Sequence, residues 1–352
     1  MSSVSEVFPK VISLATATPP YKFNQSDICE MAKTVFGESV EDFERFIPVY
    51  SNAAINNRYS CVPLEWYQHP KTLSQRNALY IENALLLLEK AASEAIISAG
   101  ITFGDLDGLV VVSSSGIAAP SLDALLMERM GLKRNLKRLP IFGLGCAGGV
   151  IGLSLTAQLA KASPTSHYLY MVVELCGLTF LHSDCSKSNI IATALFGDGA
   201  SAAVISCQGQ GAEIRGASEY TWPDSLNIMG WDVVDEGLKA VFSKDIPSLV
   251  RKDMEGLVDN FLSTQGLTKS NIHSFLCHPG GAKVLDAIEE ALNLPYGDLK
   301  HSRSVLRDYG NMSAVTAMFV LKAALEDKEH GDYVLSAFGP GFTAALLHLH
   351  IP

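Results

Sequence analysis

The sequence predicts an α/β fold built from two similar halves, and three observations support that prediction. Apolar, β-branched runs alternate with segments of helical periodicity along most of the 352 residues. A glycine-rich pattern that opens a helical run occurs twice, at residues 145–150 and again at residues 310–315. Nearer the end of each half, residues 197–203 resemble residues 339–345. A duplicated fold whose copies differ in chemically useful side chains indicates one active site shared by two half-domains.

The individual elements follow from the periodicity of the apolar residues. We predict buried strands at residues 109–113, 168–174, 200–206, 212–220, 275–277, 333–336 and 344–348. We predict helices at residues 75–99, 122–130, 150–161, 247–261, 282–292 and 313–325. Their alternation implies layered α/β structure with parallel strand pairing. The polar connector at residues 208–211 divides the chain into an N-terminal half, 1–207, and a C-terminal half, 208–352.

The composition favours a globular enzyme and argues against several other classes. Hydrophobic residues make up 48% of the chain and charged residues 18%, as expected where a large core is buried. A net charge of −10 argues against general nucleic-acid binding. No apolar run is long enough to span a bilayer, and no secretion signal is apparent, so we expect a cytoplasmic protein. Seven cysteines in no paired spacing predict neither a disulfide framework nor a zinc site.

The first copy of the repeated pattern places a cysteine where a helix is predicted to begin. Cys146 has glycines nearby on both sides, which permit a sharp turn and close approach to a ligand. Free N–H groups and the helix dipole at such a position favour the thiolate and lower the pKa of the thiol. A buried apolar cysteine is the ordinary alternative. The paired halves favour a nucleophile instead.

The second half carries polar residues at the related positions. His278 ends an apolar strand opposite Ser113, and it could take the thiol proton and hold an imidazolium beside the thiolate. Asn311 occupies the position of Cys146 and could serve only as a helix N-cap. If the two helix starts lie close together, its amide could instead help His278 to stabilise an oxyanion or enolate. The sequence therefore predicts a catalytic set of Cys146, His278 and Asn311.

Five motifs together resemble type III polyketide synthases, the chalcone-synthase-like branch of the thiolase fold. They are Gly-Cys-Ala-Gly-Gly at 145–149, Ala-Leu-Phe-Gly-Asp-Gly-Ala at 194–200, His-Pro-Gly-Gly at 278–281, Gly-Asn-Met-Ser at 310–313 and Gly-Pro-Gly at 339–341. The resemblance covers nearly the whole chain. It implies a duplicated, five-layered αβαβα domain that forms a homodimer. Residues 222–232 resemble bacterial members that make alkylpyrones or alkylresorcinols.

The resemblance also implies a mechanism. Cys146 takes an acyl starter from coenzyme A as a thioester. His278 and Asn311 hold the thioester carbonyl of malonyl-CoA while it loses CO2, and the resulting enolate attacks the acyl group. The chain returns to Cys146 for further rounds and then cyclises. Because decarboxylation supplies the carbanion equivalent, the expected substrates are malonyl-CoA and an acyl-CoA, with neither a metal nor a bound cofactor.

The same resemblance assigns further residues to the substrate cavity. They are Ser114, Cys176, Thr179, Phe196, Ala240, Gly339, Pro340 and Gly341. Phe196 matches one of two gatekeeper phenylalanines of the family. Ala240 stands where the second is expected, which should widen that side unless Phe242 swings in. Small, soft cavity residues fit an aliphatic tunnel, so we expect a medium or long acyl starter.

The donor and the reaction type leave alternatives open. Arg58-Tyr59 matches an Arg-Tyr pair of the family, but of the basic residues that bind CoA before it in plant members only Arg45 remains. Either other residues bind CoA, or the starter arrives on an acyl carrier protein, for which the basic stretch at 133–138 could be a dock. The main alternative activity is a ketoacyl synthase III-like single condensation or a carrier-protein-dependent acyl transfer. A cysteine hydrolase and a non-catalytic scaffold are the others.

Overall fold

Thirteen strands and ten α-helices form the part of the chain that the computed structural model describes, residues 7–37, 39–40 and 43–352. The strands are β1 Lys10–Ala17, β2 Tyr21–Asn24, β3 Asn57–Ser60, β4 Gly108–Val112, β5 Lys137–Ile141, β6 His167–Leu175, β7 Asp198–Ser206, β8 Ala212–Thr221, β9 Met229–Val234, β10 Gly237–Phe242, β11 Ile272–Cys277, β12 Gly331–Gly339 and β13 Thr343–Ile351. The helices are α1 Gln25–Phe36, α2 Ile47–Ser51, α3 Leu73–Ser98, α4 Leu122–Arg129, α5 Gly148–Ala162, α6 Lys187–Leu195, α7 Ile246–Thr264, α8 Ala282–Leu292, α9 Lys300–Tyr309 and α10 Ala314–Asp327.

Three apolar cores separate the helices and sheets into five layers. Alternate residues of β4 show the division, because Leu109 and Val111 face the core that contains α3, whereas Val110 and Val112 face the core that contains α5 and α10. On the other side of α5 and α10 lies the part of the sheet formed by β8 and β11–β13, which α7 and α8 cover. The order is αβαβα, as the resemblance implied. Strands covered on both faces carry nearly continuous apolar runs, which is why periodicity found them.

The strand pairing corrects one expectation. The nine-stranded sheet has the order β11-β12-β13-β8-β1-β7-β6-β4-β5. Parallel pairs occur towards its two ends, where β4 pairs with β5 and β6, and β11 pairs with β12. The strands between them pair antiparallel. The expectation of parallel pairing was wrong there, because short connections such as residues 340–342 reverse the chain without a crossover helix.

The predicted helices occur within a few residues of their expected bounds. The helix predicted at 75–99 begins at Leu73, because Thr72 and Gln75 form a capping box. In that box, Gln75 N donates to Thr72 Oγ1 at 3.2 Å and Thr72 N donates to Gln75 Oε1 at 3.0 Å. The connector predicted to divide the halves lies between β7 and β8, although one sheet runs through both halves.

The two halves approach closely where α5 packs against α10. A Cβ added to Gly149 would lie 2.1 Å from the carbonyl oxygen of Ala314, so this approach requires glycine. Gly148 lies beside the same helix, since its added Cβ would be 3.5 Å from Ala314 Cβ. The turns that precede the two helices are therefore neighbours at one end of the central layer.

The contact between Gly149 and Ala314 predicts a large cost for a small substitution. Gly149→Ala should lower the free energy of unfolding by roughly 1–3 kcal/mol, because the added methyl group must push α10 away. Gly256→Ala in α7 is the matched control, since a Cβ there meets nothing within 4 Å. It should be neutral or stabilising by about 0.5–1 kcal/mol. Urea titrations measure both variants, and equal effects would show that the two helices accept the extra methyl group.

Candidate active site

Cys146 lies in a short 3-10 turn, Gly145–Ala147, that leads into α5. Gly145 has a φ of 47°, in the left-handed region that favours glycine. The backbone N–H groups of Gly143 and Gly145 each donate to Ser114 Oγ at 3.2 Å. Ser114, at the end of β4, therefore fixes the turn that carries the thiol. Its predicted contact with substrate stays a prediction.

Residues from the second half contact this thiol. Cys146 Sγ lies 3.5 Å from Ser313 Oγ. The backbone N–H of Ser313 donates to Asn311 Oδ1 at 2.8 Å, and Asn311 Nδ2 donates to the carbonyl oxygen of Gly280 at 3.2 Å. The Asn311 amide thus connects the turn before α10 with the loop that follows His278. Since α10 begins at Ala314 with Ser313 as its N-cap, Asn311 is not the N-cap, and its side chain instead connects the two segments through these hydrogen bonds. Its catalytic role stays a prediction.

The His278 imidazole is buried and has both ring nitrogens free of hydrogen-bond partners among the described residues. Its backbone N–H donates to the carbonyl oxygen of Ser336 at 2.8 Å, which extends the pairing of β11 with β12. The residue is only 3% exposed, and burial lowers the pKa of His278 to about 3. The imidazole is therefore neutral near pH 7. Unpartnered buried polar atoms are rare and mark positions where a ligand can complete the hydrogen bonds.

The electrostatics of Cys146 correct a second expectation. Burial raises the pKa of the Cys146 thiol to about 12, the hydrogen bond to Ser313 opposes this change, and the nearby Glu174 carboxylate adds to it. The position before a helix was expected to lower the pKa, but here desolvation of the thiolate outweighs the helix dipole. The site therefore holds a neutral thiol and a neutral imidazole, and the thiolate forms only as its proton is taken up.

Glu174 is a buried carboxyl group that the sequence analysis missed. Its oxygens accept hydrogen bonds from Ser114 N at 3.1 and 3.2 Å and from Ser113 Oγ at 3.5 Å. Ser113 Oγ in turn accepts a hydrogen bond from Tyr80 at 2.8 Å. Burial raises the pKa of Glu174 to about 7. The available signal was a single acidic residue within the otherwise apolar strand at residues 168–175.

A cavity of about 520 Å³ contains four of the predicted substrate residues, Cys176, Thr179, Phe196 and Ala240. Many other side chains in its wall are apolar or aromatic, namely Phe23, Ile28, Met31, Tyr59, Tyr67 and Phe180. None of the three predicted catalytic residues lines this cavity, but Phe196 connects it to one of them, because its backbone forms an isolated β-bridge with Asn311. The neighbouring Gly197 N–H donates to the Asn311 carbonyl oxygen at 3.0 Å.

An aromatic cluster forms the wall beside Ala240. The Phe196 and Phe242 rings meet edge to face with centroids 5.6 Å apart, and Trp231 lies 6.0 Å from Phe196. Ala240, Phe242 and Trp231 all belong to the β9–β10 hairpin. Phe242 thus packs with Ala240 and Phe196 in one apolar cluster, and the widening expected from alanine at position 240 stays a prediction.

Arg58 fixes the position of Phe196. Its guanidinium donates to the carbonyl oxygens of Thr193, Ala194 and Phe196 at 2.6 to 2.9 Å, which satisfies the end of α6. It also donates to Gln25 Oε1. This residue of the Arg-Tyr pair thus supports the gate rather than projecting towards solvent.

The remaining predicted residues lie in two different places. Gly339 and Pro340 pack against the turn that carries the thiol, since a Cβ on Gly145 would lie 2.6 Å from Pro340 Cδ, while Gly341 follows them and lies beside Thr343. Arg45 is exposed in the 3-10 turn Phe43–Phe46 and does not line the cavity. Its role in binding CoA stays a prediction.

The described residues include neither a membrane-spanning helix nor a grouped set of metal ligands. Within residues 7–37, 39–40 and 43–352, no helix combines the length and apolarity needed to cross a bilayer. In the same ranges, no three or more His, Cys, Asp or Glu side chains are grouped to hold a metal ion.

Comparison with known proteins identifies the family. The model for the N-terminal domain of chalcone and stilbene synthases matches residues 2–209, and the model for their C-terminal domain matches residues 213–352. A putative chalcone synthase of Bacillus subtilis (strain 168) is 37% identical, over 96% of this chain and 97% of its own length. The 1,3,6,8-tetrahydroxynaphthalene synthase of Streptomyces peucetius subsp. caesius is 38% identical, over 96% and 92%.

A solved structure agrees with these matches. The 1,3,6,8-tetrahydroxynaphthalene synthase of Streptomyces coelicolor A3(2), a bacterial type III polyketide synthase, has the same fold, with a TM-score of 0.93. That comparison covers 97% of this chain and 99% of the other, at 23% identity. Fold and domain matches together define an acyltransferase of the thiolase-fold class. The chain belongs to the chalcone and stilbene synthase family, the type III polyketide synthases.

The buried Glu174 carboxyl group should make stability fall as the pH rises. Its folded pKa of about 7 lies above its ordinary value of 4.5, so the folded state binds more protons than the unfolded state between these values. The stability it contributes is fully present below about pH 4.5 and is lost as the pH rises through about 7. Compared with Glu174→Gln, the wild-type protein should lose roughly 2–3 kcal/mol of unfolding free energy between about pH 5 and pH 8.

Urea titrations across this pH range measure the difference between wild type and Glu174→Gln. Glu94→Gln, which replaces an exposed glutamate of the same protein, is the matched control and should follow the wild type at every pH. Parallel curves for wild type and Glu174→Gln would contradict a buried carboxyl group with a raised pKa.

Proposed function

We propose that this enzyme condenses malonyl-CoA repeatedly onto an acyl starter held on Cys146, with loss of CO2 at each step. The observation that carries the proposal is the meeting of the two halves at one site. Cys146 Sγ lies 3.5 Å from Ser313 Oγ, Asn311 donates to the Gly280 carbonyl oxygen, and the buried His278 ring nitrogens have no hydrogen-bond partner in the described part of the chain. A thiol, an imidazole and an amide are the groups that this chemistry uses.

In the proposed loading step, the Cys146 thiol attacks the thioester carbonyl of an acyl-CoA. His278 takes the thiol proton and passes it to the departing coenzyme A thiolate. The neutral form of His278, which burial favours, is the form that can accept this proton. The acyl bond to the coenzyme A sulfur breaks as the bond to the Cys146 sulfur forms.

In the proposed condensation, His278 and Asn311 donate hydrogen bonds to the thioester carbonyl oxygen of malonyl-CoA. They stabilise the enolate that forms as CO2 leaves, and one such donor is worth about 10²–10³ in rate. Asn311 Nδ2 would exchange its bond to the Gly280 carbonyl for one to the substrate oxygen. The enolate carbon attacks the acyl carbon and releases the Cys146 thiolate. Because decarboxylation generates the nucleophile, the proposed cycle uses no metal and no bound cofactor.

We propose a medium or long aliphatic starter, with alkylpyrones or alkylresorcinols as products. The lining of the cavity supports this, because Ile28, Met31 and Phe180 give it walls suited to a hydrocarbon chain. Cys176 and Thr179 are small enough to leave that space open. Cys146 is close enough to Cys176 to act on the pKa of its thiol, so a chain bound to Cys146 would begin near this wall.

We propose coenzyme A rather than a carrier protein as the starter donor. Two arginines of the basic stretch at 133–138 are already paired, Arg134 with Glu128 at 2.6 Å and Arg138 with Asp123 at 2.5 Å. Their pairing reduces the charge available to attract an acidic carrier protein.

A mass-resolved product profile tests the proposed function. The purified protein is incubated with malonyl-CoA and acyl-CoA starters from acetyl to stearoyl. Triketide and tetraketide pyrones or resorcinols are expected, with the highest yields for medium or long chains. Cys146→Ala should give neither product nor acyl-enzyme in intact-protein mass spectra. Cys207→Ala removes another buried cysteine, whose Sγ contacts the Ala160 carbonyl oxygen, and it should behave as wild type.

Asn311→Asp separates loading from condensation in the same assay. It keeps an oxygen that accepts from Ser313 N–H but loses the Nδ2–H donor. Acyl loading on Cys146 should persist, while decarboxylation of malonyl-CoA should fall about 10²–10³-fold. Asn260→Asp on the exposed side of α7 is the matched control.

In the wild-type product profile, a single extension without a cyclic product would indicate a single-condensation enzyme, and thioester loss without malonyl-dependent product would indicate a hydrolase.

We also propose a homodimer that pairs along β5. This strand is one of the two outer strands of the nine-stranded sheet, and Phe142, directly after it, is 60% exposed. An open strand edge beside an exposed aromatic side chain favours association.

Phe142→Glu should shift the mass measured by light scattering from dimer to monomer. Leu226→Glu, at a leucine that is 85% exposed elsewhere, should not, and a monomeric wild type would contradict the proposal.

A further inference from the structure

A second cavity lies beside the starter cavity. Its volume is about 310 Å³, and Thr179 lines both cavities. Leu73, Leu178 and Leu238 give it apolar walls, while Arg76 supplies a charged group. A chain that passes Thr179 would lead from the starter cavity into this second one.

Arg76 is a buried cation with few partners. The residue is 5% exposed, Nη1 donates to the carbonyl oxygen of Glu236 at 2.7 Å, and Nε has no hydrogen-bond partner among the described residues. The arginine ion pairs formed by those residues do not include Arg76. Burial lowers the pKa of Arg76. The exposed Glu236 carboxylate opposes this change, but no ion pair among the described residues neutralises Arg76 directly, so an anion beside its guanidinium would be favourable.

The other polar groups in this wall already have partners. Asn77 exchanges two hydrogen bonds with the backbone of Ile117, both 2.8 Å long. Ser115 Oγ accepts from Leu175 N at 2.8 Å. Thr179 Oγ1 donates to the Cys176 carbonyl oxygen at 2.7 Å. The guanidinium of Arg76 is therefore the polar group of the described wall that remains to bind a ligand.

Arg58 provides a useful contrast within the same molecule. It is also buried and lines the first cavity, and its Nε also lacks a partner. Its two Nη atoms, however, donate to the carbonyl oxygens of three residues, Thr193, Ala194 and Phe196. Arg58 is engaged with the backbone of α6, whereas Arg76 has a single carbonyl partner.

We propose that Arg76 binds a carboxylate at the far end of the acyl starter, so that the enzyme accepts acyl groups derived from dicarboxylic acids. This inference rests on the proposed function. The thioester end would be on Cys146, the methylene chain would pass Thr179 between apolar walls, and the free carboxylate would meet the guanidinium. The planar fork of arginine matches a carboxylate, and such charge-assisted hydrogen bonds are strong.

Pairs of CoA thioesters that differ only at the far end test this inference. Succinyl-CoA is compared with butyryl-CoA, adipoyl-CoA with hexanoyl-CoA, and suberoyl-CoA with octanoyl-CoA. The rate of acyl-enzyme formation, followed by intact-protein mass spectrometry, gives kcat/KM for loading. For at least one pair, the wild-type protein is expected to prefer the dicarboxylic thioester about tenfold.

The preference should depend on Arg76. In Arg76→Gln the ratio of the two kcat/KM values should fall to about one, mainly through a higher KM for the dicarboxylic thioester. Arg76→Lys should retain part of the preference for the dicarboxylic thioester. Arg129→Gln, which removes an exposed arginine paired with Glu89, is the control and should keep the wild-type ratio. If Arg76→Gln does not fold, Thr179→Phe takes its place, since it fills the wall between the cavities and should also abolish the preference.

Three outcomes would overturn the inference. A wild-type ratio of one or less for every pair would do so while leaving the proposed condensation intact, because methyl-terminated starters would still be extended. A preference that persists in a folded Arg76→Gln variant would place the carboxylate elsewhere. Free octanoate that binds through Arg76 without any preference for dicarboxylic thioesters would show that the ligand is a separate acid and not the starter.

Discussion

The close packing of α5 against α10 is the constraint on which the site depends. With a hydrogen at Gly149 in place of a side chain, the carbonyl oxygen of Ala314 occupies the space that a Cβ would take. Because both helices start near this contact, the turns in front of them meet, and Cys146 Sγ reaches Ser313 Oγ at 3.5 Å. The proximity of groups from distant parts of the chain is thus a result of helix packing in the central layer.

Burial in that layer also sets the electrostatics. It makes Cys146 and His278 neutral, and it raises the pKa of Glu174 to about 7 and that of Asp198 to about 6. A negative charge that develops in such surroundings gains little from water, so fixed donors have a large effect on it. His278 and Asn311 are the donors that the proposed enolate would use, which makes their separation from solvent part of the chemistry.

Sequence reasoning located the strands where the physical signal is periodic, because strands with both faces covered are continuous apolar runs. The repeated pattern singled out Cys146, His278 and Asn311, whose catalytic roles stay predictions. Sequence reasoning failed where the signal is a single residue whose partners are distant in the chain. Glu174 ends an apolar strand and Arg76 belongs to a long amphipathic helix, and neither position reveals burial until the hydrogen bonds of Ser114 and Glu236 are known. The turn at residues 340–342 likewise looks unremarkable until it reverses the sheet.

The cavity wall near Phe196 consists of two parts that are held in place differently. Phe196 is tied to the core, because Arg58 holds its carbonyl oxygen and its backbone bridges Asn311. Any shift of Phe196 would therefore move the proposed catalytic amide. Ala240 and Phe242 belong instead to the β9–β10 hairpin, a separate two-stranded sheet outside the nine-stranded one. Substitution of Ala240 would therefore change the cavity wall through the hairpin, whereas substitution of Arg58 would act through Phe196 on the segment that carries Asn311.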